Sequence, residues 1–212
     1  MSNGSFDFNA FIQESKEVLV NPKSYFSTMK TSGGMTEPLI KALIYGAIAG
    51  AISFVWSLLH LTIGVGGLFG GMVGIGLFFT YIIGSVIGLF IGAIVLLVIS
   101  SICKGNTDFE ANVRVVAAVM VVMPISALLG FATHIHIYLG AIVQIGVSLL
   151  YLWLIYNALI ECLKSKAETT KIVMYILIAL IVIFSLTGLR KTNQLMKEFD
   201  GTELKELMEQ QK

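Results

Sequence analysis

The chain has 212 residues, 56% of them hydrophobic and only 13% charged, with a formal net charge of +1. Soluble proteins carry about one quarter charged residues, and no solvated fold needs the run from Ala42 to Cys103, which holds no Asp, Glu, Lys or Arg. A soluble domain is excluded, and the absence of a dense basic cluster argues against a nucleic-acid partner. What remains is an all-α, polytopic transmembrane helical bundle in contact with a lipid bilayer.

Residues 1–38 read as an amphipathic head. Phe8, Phe11, Ile12 and Leu19 fall near helical spacing, with Glu14, Lys16 and Glu17 on the other side. Asn21-Pro22 is a restart signal, Asn as N-cap and Pro at the first helical position. Ser32-Gly33-Gly34 breaks the segment, and Thr36-Glu37-Pro38 opens the first span, about Leu39 to Leu61. That span starts too far in for a signal peptide and is expected to direct insertion itself. Thr62 to Gly76 is glycine-rich and expected to belong to a connection reaching Thr80; Tyr81 to Ile102 is a full span. Thr107 to Glu110 has capping-box form. Spans at about Ala111–Phe131, Ile137–Ile160 and Ile172–Leu189 follow. Residues 39–189 are thus the bundle. Residues 190–212 form a charged helical tail, in which Leu195, Phe199, Leu204 and Leu207 predict surface helices broken at Gly201.

Length and charge choose between five spans and six. An ideal helix from Ala42 to Cys103 would extend about 93 Å. Three crossings of about 30 Å would leave almost nothing for turns. With five spans and a cytoplasmic N-terminus, Lys104, Arg114, Lys164, Lys166 and Lys171 all lie inside, as the positive-inside rule favours. Gly105 and Lys166 then face the cytoplasm, and His60, His134 and the tail face the other side. Six spans would put those five cations outside, while five send Arg190 and Lys191 across. Cys103 and Cys162 end spans beside Lys104 and Lys164, so they are expected at a water interface as unpaired thiols.

Several patterns are candidate sites. Gly84, Gly88 and Gly92 are four apart, as are Ala42, Gly46 and Gly50; such strips let two backbones approach closely. Tight pairing of the first two spans is the expected use, with homo-oligomerisation the other. His60, His134 and His136 fall at one membrane face in the five-span reading. Convergent imidazoles could hold zinc or copper, although histidines at an interface without a metal are the plainer reading. Gln144, Tyr151 and Asn157 are polar groups at depth and candidates for a polar cavity. No Asp, Glu, Lys or Arg falls inside a span beyond its ends, where proton relays and ion pathways would need one. No zinc-protease, nucleophile-elbow or phosphate-loop motif is present. A non-enzyme without a cofactor is expected.

Val18-Leu19-Val20-Asn21-Pro22-Lys23-Ser24-Tyr25-Phe26 resembles the segment before the first span in prokaryotic members of the Yip domain family. The likeness continues through Glu37-Pro38-Leu39 and Ala42-Leu43, Lys104-Gly105-Asn106 to Phe109, Ala117 to Pro124, and Leu152-Trp153 to Leu163, covering roughly residues 18–189. The resemblance implies five spans, a cytoplasmic N-terminus, no transferable enzyme activity and, for a prokaryotic member, the cell membrane. Eukaryotic members of the family shape Golgi membranes and interact with Rab GTPases. This chain lacks their long acidic N-terminal domain and adds a charged tail, so a Rab partner is not carried over. The function expected is a membrane organiser or adaptor for a protein or lipid partner. The alternative is a transporter or permease component for a small neutral or lipidic substrate.

Overall fold

The computed structural model describes residues 7–59, 71–185, 187 and 188, and among them every regular element is helical. The carboxylate of Asp7 caps α1 (Phe8–Val20) by accepting from the N–H groups of Asn9 and Ala10 at 2.9 and 3.1 Å. Pro22 opens α2 (Pro22–Thr28) without help from the Asn21 side chain, since its fixed φ already suits the first turn. Gly33 and Gly34 then take φ of 135° and 91°, a reversal that brings the chain into α3 (Thr36–Leu58).

Five helices of the described residues are long and apolar enough to cross a membrane: Thr36–Leu58, Gly74–Ile102, Phe109–Leu129, Ile137–Cys162 and Ala167–Ser185. The sequence expectation of five spans is met. The charged tail, His60 and most of the glycine-rich connection lie outside the described residues.

Element boundaries differ from the sequence reading in instructive ways. Helix α4 (Gly71–Ile102) begins well before Tyr81. A Cβ on Gly74 would stand 2.8 Å from the Phe54 ring, so glycine there lets α4 continue alongside α3 instead of turning away. At 32 residues α4 is about 48 Å long, more than a bilayer core of about 30 Å, so it must tilt or project. The third span is two helices, α5 (Phe109–Val119) and α6 (Val122–Leu129). Pro124 has no N–H to offer the Met120 carbonyl, which instead accepts from Met123 N–H at 2.9 Å. Asp108, not Thr107, caps α5, its carboxylate accepting from Ala111 N–H at 2.8 Å. A carboxylate at that end also meets the positive pole of the helix. After α7 (Ala132–Ile135) comes α8 (Ile137–Asn157), which widens into a π turn at Ala158–Cys162. The last span, α9 (Ala167–Ser185), starts earlier than Ile172.

Helix α5 is the axis of the bundle, buried without interruption from Ala111 to Val119. A helix buried on every side is one surrounded by others, and here the burial takes in Asn112 and Arg114 as well as the apolar residues. The outer faces show Ile83, Ile87, Ile91 and Val98 of α4 and Ile172, Ile176 and Ile183 of α9, all exposed, as lipid-facing positions should be. The seam between α3 and α4 is a close backbone approach. A Cβ on Gly46 would come within 2.9 Å of the Tyr81 carbonyl and overlap the Ser85 side chain; one on Gly50 would meet the Phe78 carbonyl at 3.0 Å. On α4 the face in this seam carries Phe78, Tyr81 and Ser85. Gly84 and Gly88 point elsewhere, and a Cβ there would meet nothing within 4 Å. Gly92 approaches Val116 of α5 instead.

A methyl group separates these roles. Gly46→Ala should cost about 1–3 kcal/mol by overpacking against backbone. Gly84→Ala should be neutral or stabilising by up to about 1 kcal/mol through helix propensity. Thermal unfolding of the two variants in one mild detergent checks this; equal melting temperatures would mean the seam is not as close as described.

Candidate functional site

Two features at different depths could carry function. The first is at the head end of the bundle. Helix α1 lies against α3 with the Phe11 ring tilted 45° against that of Tyr45, ring centres 5.0 Å apart, and the Ser15 hydroxyl 2.7 Å from the Tyr45 hydroxyl. Beneath it sits a cluster of charges that the sequence reading missed. Lys41 Nζ is bonded to Glu14 at 2.5 Å and to Glu37 at 2.7 Å. Arg114 reaches from α5 with all three nitrogens in use: Nε donates to Glu110 at 3.1 Å, one terminal nitrogen to Glu37 at 3.0 Å, and the other to the Gly34 carbonyl at 2.9 Å. Glu110 closes the ring by accepting from Gly34 N–H at 2.6 Å. Both cations are buried and their carboxylates stay part-exposed, so each charge is paired before it leaves water. A cavity of about 610 Å³ separates head and bundle here, with Glu14, Glu17, Glu37, Lys41 and Arg114 on its walls. Tyr25 of α2 faces it too; burial, with the Glu14 charge nearby, pushes its phenol far above the ordinary range, so it remains a neutral donor.

The two internal loops are knotted at the same end. Asn106 N–H donates to the Leu163 carbonyl at 2.7 Å, and Lys166 N–H to the Cys103 carbonyl at 2.9 Å. Lys104 and Lys164 each end a span with positive φ, 57° and 54°. Asn112, fully buried, donates to the Asp108 carbonyl at 2.7 Å. Helix α2 joins this layer through Lys23, 3.9 Å from Glu161. The head, Gly105 and Lys166 therefore share one end. Cys103 and Cys162 are free but buried in this knot, not exposed to water as the flanking lysines led us to expect; the loop exchange covers them.

The second feature is a groove of about 380 Å³ at mid-depth, between α4, α5, α6, α8 and α9. Gly84 and Gly88 form its smooth wall, and Gln144, Ser148 and Tyr151 descend along one face of α8 into it. Ser85 and Ser148 bond back to the Ile82 and Gln144 carbonyls of their own helices. Of the three residues read as a polar cavity, Gln144 and Tyr151 meet in this groove. Asn157 does not, since its amide donates to the Trp153 carbonyl at 2.7 Å. The histidines give less. His60 and the His134 side chain lie outside the described residues. His136 acts as N-cap of α8, its Nδ1 accepting from Tyr138 N–H at 3.3 Å. No group of three or more His, Cys, Asp or Glu side chains that could hold a metal ion occurs among the described residues.

The family model for the Yip1 domain matches residues 16–189, from within α1 to just past α9. No curated protein and no solved structure matches the chain.

Arg114 is the residue whose loss should loosen the head. Removing it leaves Glu37 with Lys41 alone and Glu110 with the Gly34 N–H alone, and both keep partial contact with water, so the expected cost is about 2–3 kcal/mol, below that of a fully buried pair. Arg114→Lys should recover little of this, because an ammonium cannot span three acceptors as the planar fork does. Thermal unfolding in detergent of Arg114→Ala and Arg114→Lys reads it; a lysine variant as stable as wild type would refute the fork's role.

Proposed function

Because the chain belongs to the Yip1 domain family, we propose that it is a non-catalytic membrane organiser or adaptor whose head end receives a protein or lipid partner. The observation that carries this reading is the build of the head. Helix α1 is held in place from beneath by Lys41 and by the Phe11–Tyr45 contact, yet Phe8 and Ile12 remain 56% and 52% exposed on it. An apolar pair one helical turn apart on a fixed helix outside the spans has two uses, insertion among headgroups or docking of another protein. The buried charges beneath serve the fold, being fully paired. A permease component is the competing reading, and the mid-depth groove is what favours it; flux of a neutral solute into proteoliposomes containing the protein would decide for it.

Orientation belongs to the same proposal. The head end carries Lys104, Lys164, Lys166 and Lys171 in short loops or just beyond them, and we place it in the cytoplasm of a prokaryotic cell. The three-part division into head, bundle and tail remains our proposal for how the work is shared.

Two measurements test these statements. Native mass spectrometry of the full-length protein in mild detergent should show a protein or lipid bound at fixed stoichiometry and lost in Ile12→Glu; a bare monomer in repeated preparations would overturn the adaptor reading. Single cysteines at the exposed positions Lys166 and Tyr138, in a background without Cys103 and Cys162, report orientation. An impermeant thiol reagent applied to intact cells should label Tyr138→Cys and spare Lys166→Cys, and the reverse pattern would invert the topology.

A further inference from the structure

The mid-depth groove has a chemistry of its own. Gln144, Tyr151 and Ser126 all border it, and none of their side chains makes a hydrogen bond among the described residues. In water that would be ordinary. Inside hydrocarbon an unpaired amide or hydroxyl costs several kcal/mol, about the stability of a small protein, and such groups are normally paired within the chain or face a ligand. The other hydroxyls at this depth show the contrast: Ser85 and Ser148, on the same walls, are tied to their own backbones. Three unpaired polar side chains on α6 and α8 thus converge on one apolar trough whose opposite wall is bare glycine backbone.

We infer that this groove binds an uncharged glycerolipid of the diacylglycerol type, with its acyl chains along the Gly84–Gly88 wall and its hydroxyl and ester carbonyls on Gln144, Tyr151 and Ser126. Four features select that occupant. No Asp, Glu, Lys or Arg lines the groove, so nothing there compensates a phosphate. Gln144 lies seven residues inside the far end of α8, about 10 Å down, deeper than a charged headgroup rides. Amide and hydroxyls together both donate and accept, so a ligand with an O–H beside carbonyls pairs all three; a quinone, which only accepts, leaves the Gln144 carbonyl oxygen unpaired. A trough of about 380 Å³ falls in the range of small-molecule sites and takes one lipid's upper chains. The inference does not use the head and deepens only the lipid half of the adaptor reading.

The test uses the full chain in phosphatidylcholine nanodiscs with a diazirine-bearing diacylglycerol as probe. Crosslinks should map to α4 and α8 around Gly88 and Gln144. Unlabelled dioleoylglycerol should compete at least tenfold better than dioleoyl phosphatidic acid, which differs by its phosphate, and better than ubiquinone. A Cβ on Gly88 meets nothing within 4 Å, so Gly88→Leu should fold and, by occupying the trough, abolish labelling, while Gly76→Leu, whose Cβ is equally free but lies outside the groove, should not. Gln144→Leu should weaken competition by about tenfold, the worth of one hydrogen bond. Equal competition by phosphatidic acid or ubiquinone would overturn the inference, as would labelling that survives Gly88→Leu. A change from dimer to monomer in Gln144→Leu with labelling intact would overturn it in favour of a second copy. Ile12→Glu should leave labelling untouched, so failure at the head and failure at the groove are read separately.

Discussion

The absence of water from the bilayer core is the constraint on which the rest of this structure depends. Every backbone N–H and carbonyl at depth must find its partner within the chain, which is why the described residues are helical and why five long helices account for most of them. The same constraint disciplines the side chains. Ser85, Ser148, Thr80 and Thr187 each bond to a carbonyl three or four residues back, hiding the hydroxyl in the helix that carries it. Trp56 at the far end does the equivalent across helices, donating to the Ala127 carbonyl at 3.0 Å.

Charge obeys this rule at the head end. Lys41 and Arg114 stand one to two turns inside their spans, too deep to be left bare. Each is met by carboxylates from separate elements: Glu14 on α1, Glu37 on α3 and Glu110 on α5. Burying the cations therefore requires the head to come down onto the bundle. Lys41 gains its Glu14 partner, and Arg114 its Gly34 carbonyl, only when the head is in place, so head position and part of the offset to desolvation are coupled. That coupling makes the head a fixed platform and gives Phe8 and Ile12 a defined direction to face.

Much of this was legible in the sequence. The charge-free run from Ala42 to Cys103 and its length fix two crossings there, and the lysine-bearing loops fix which connections share an end. Glu37-x-x-x-Lys41 and Glu110-x-x-x-Arg114 were also readable as helical ion pairs. What the sequence hides is that the two pairs meet, because α3 and α5 are far apart in the chain and their rotation is set by packing. The extension of α4 back to Gly71 was hidden for a related reason. Glycine argues against helix by propensity, and the packing of Phe54 and Ser57 over Gly74, which needs glycine there, works against that argument. Asp108 in place of Thr107 as the cap is a single-residue choice that pattern alone does not resolve.

The two glycine strips show how the same motif can be put to opposite uses. Gly46 and Gly50 are pressed against the α4 backbone, and there the missing side chain is filled by protein. Gly84 and Gly88, with identical spacing, are out of phase with the face of α4 that enters this seam: Ser85 occupies the contact, Gly84 is turned about 100° from it and Gly88 about 60°. Their missing side chains are filled by nothing in the described chain. A strip of bare backbone in a lipid-exposed helix costs helix propensity without gaining a helix–helix contact in return. Set opposite Gln144 and Tyr151, it forms a trough with a smooth side and a polar side, which is the division of an uncharged amphiphile. The physical distinction between a packing strip and a binding wall thus lies in which face of the helix the neighbouring span selects, and spacing cannot reveal it.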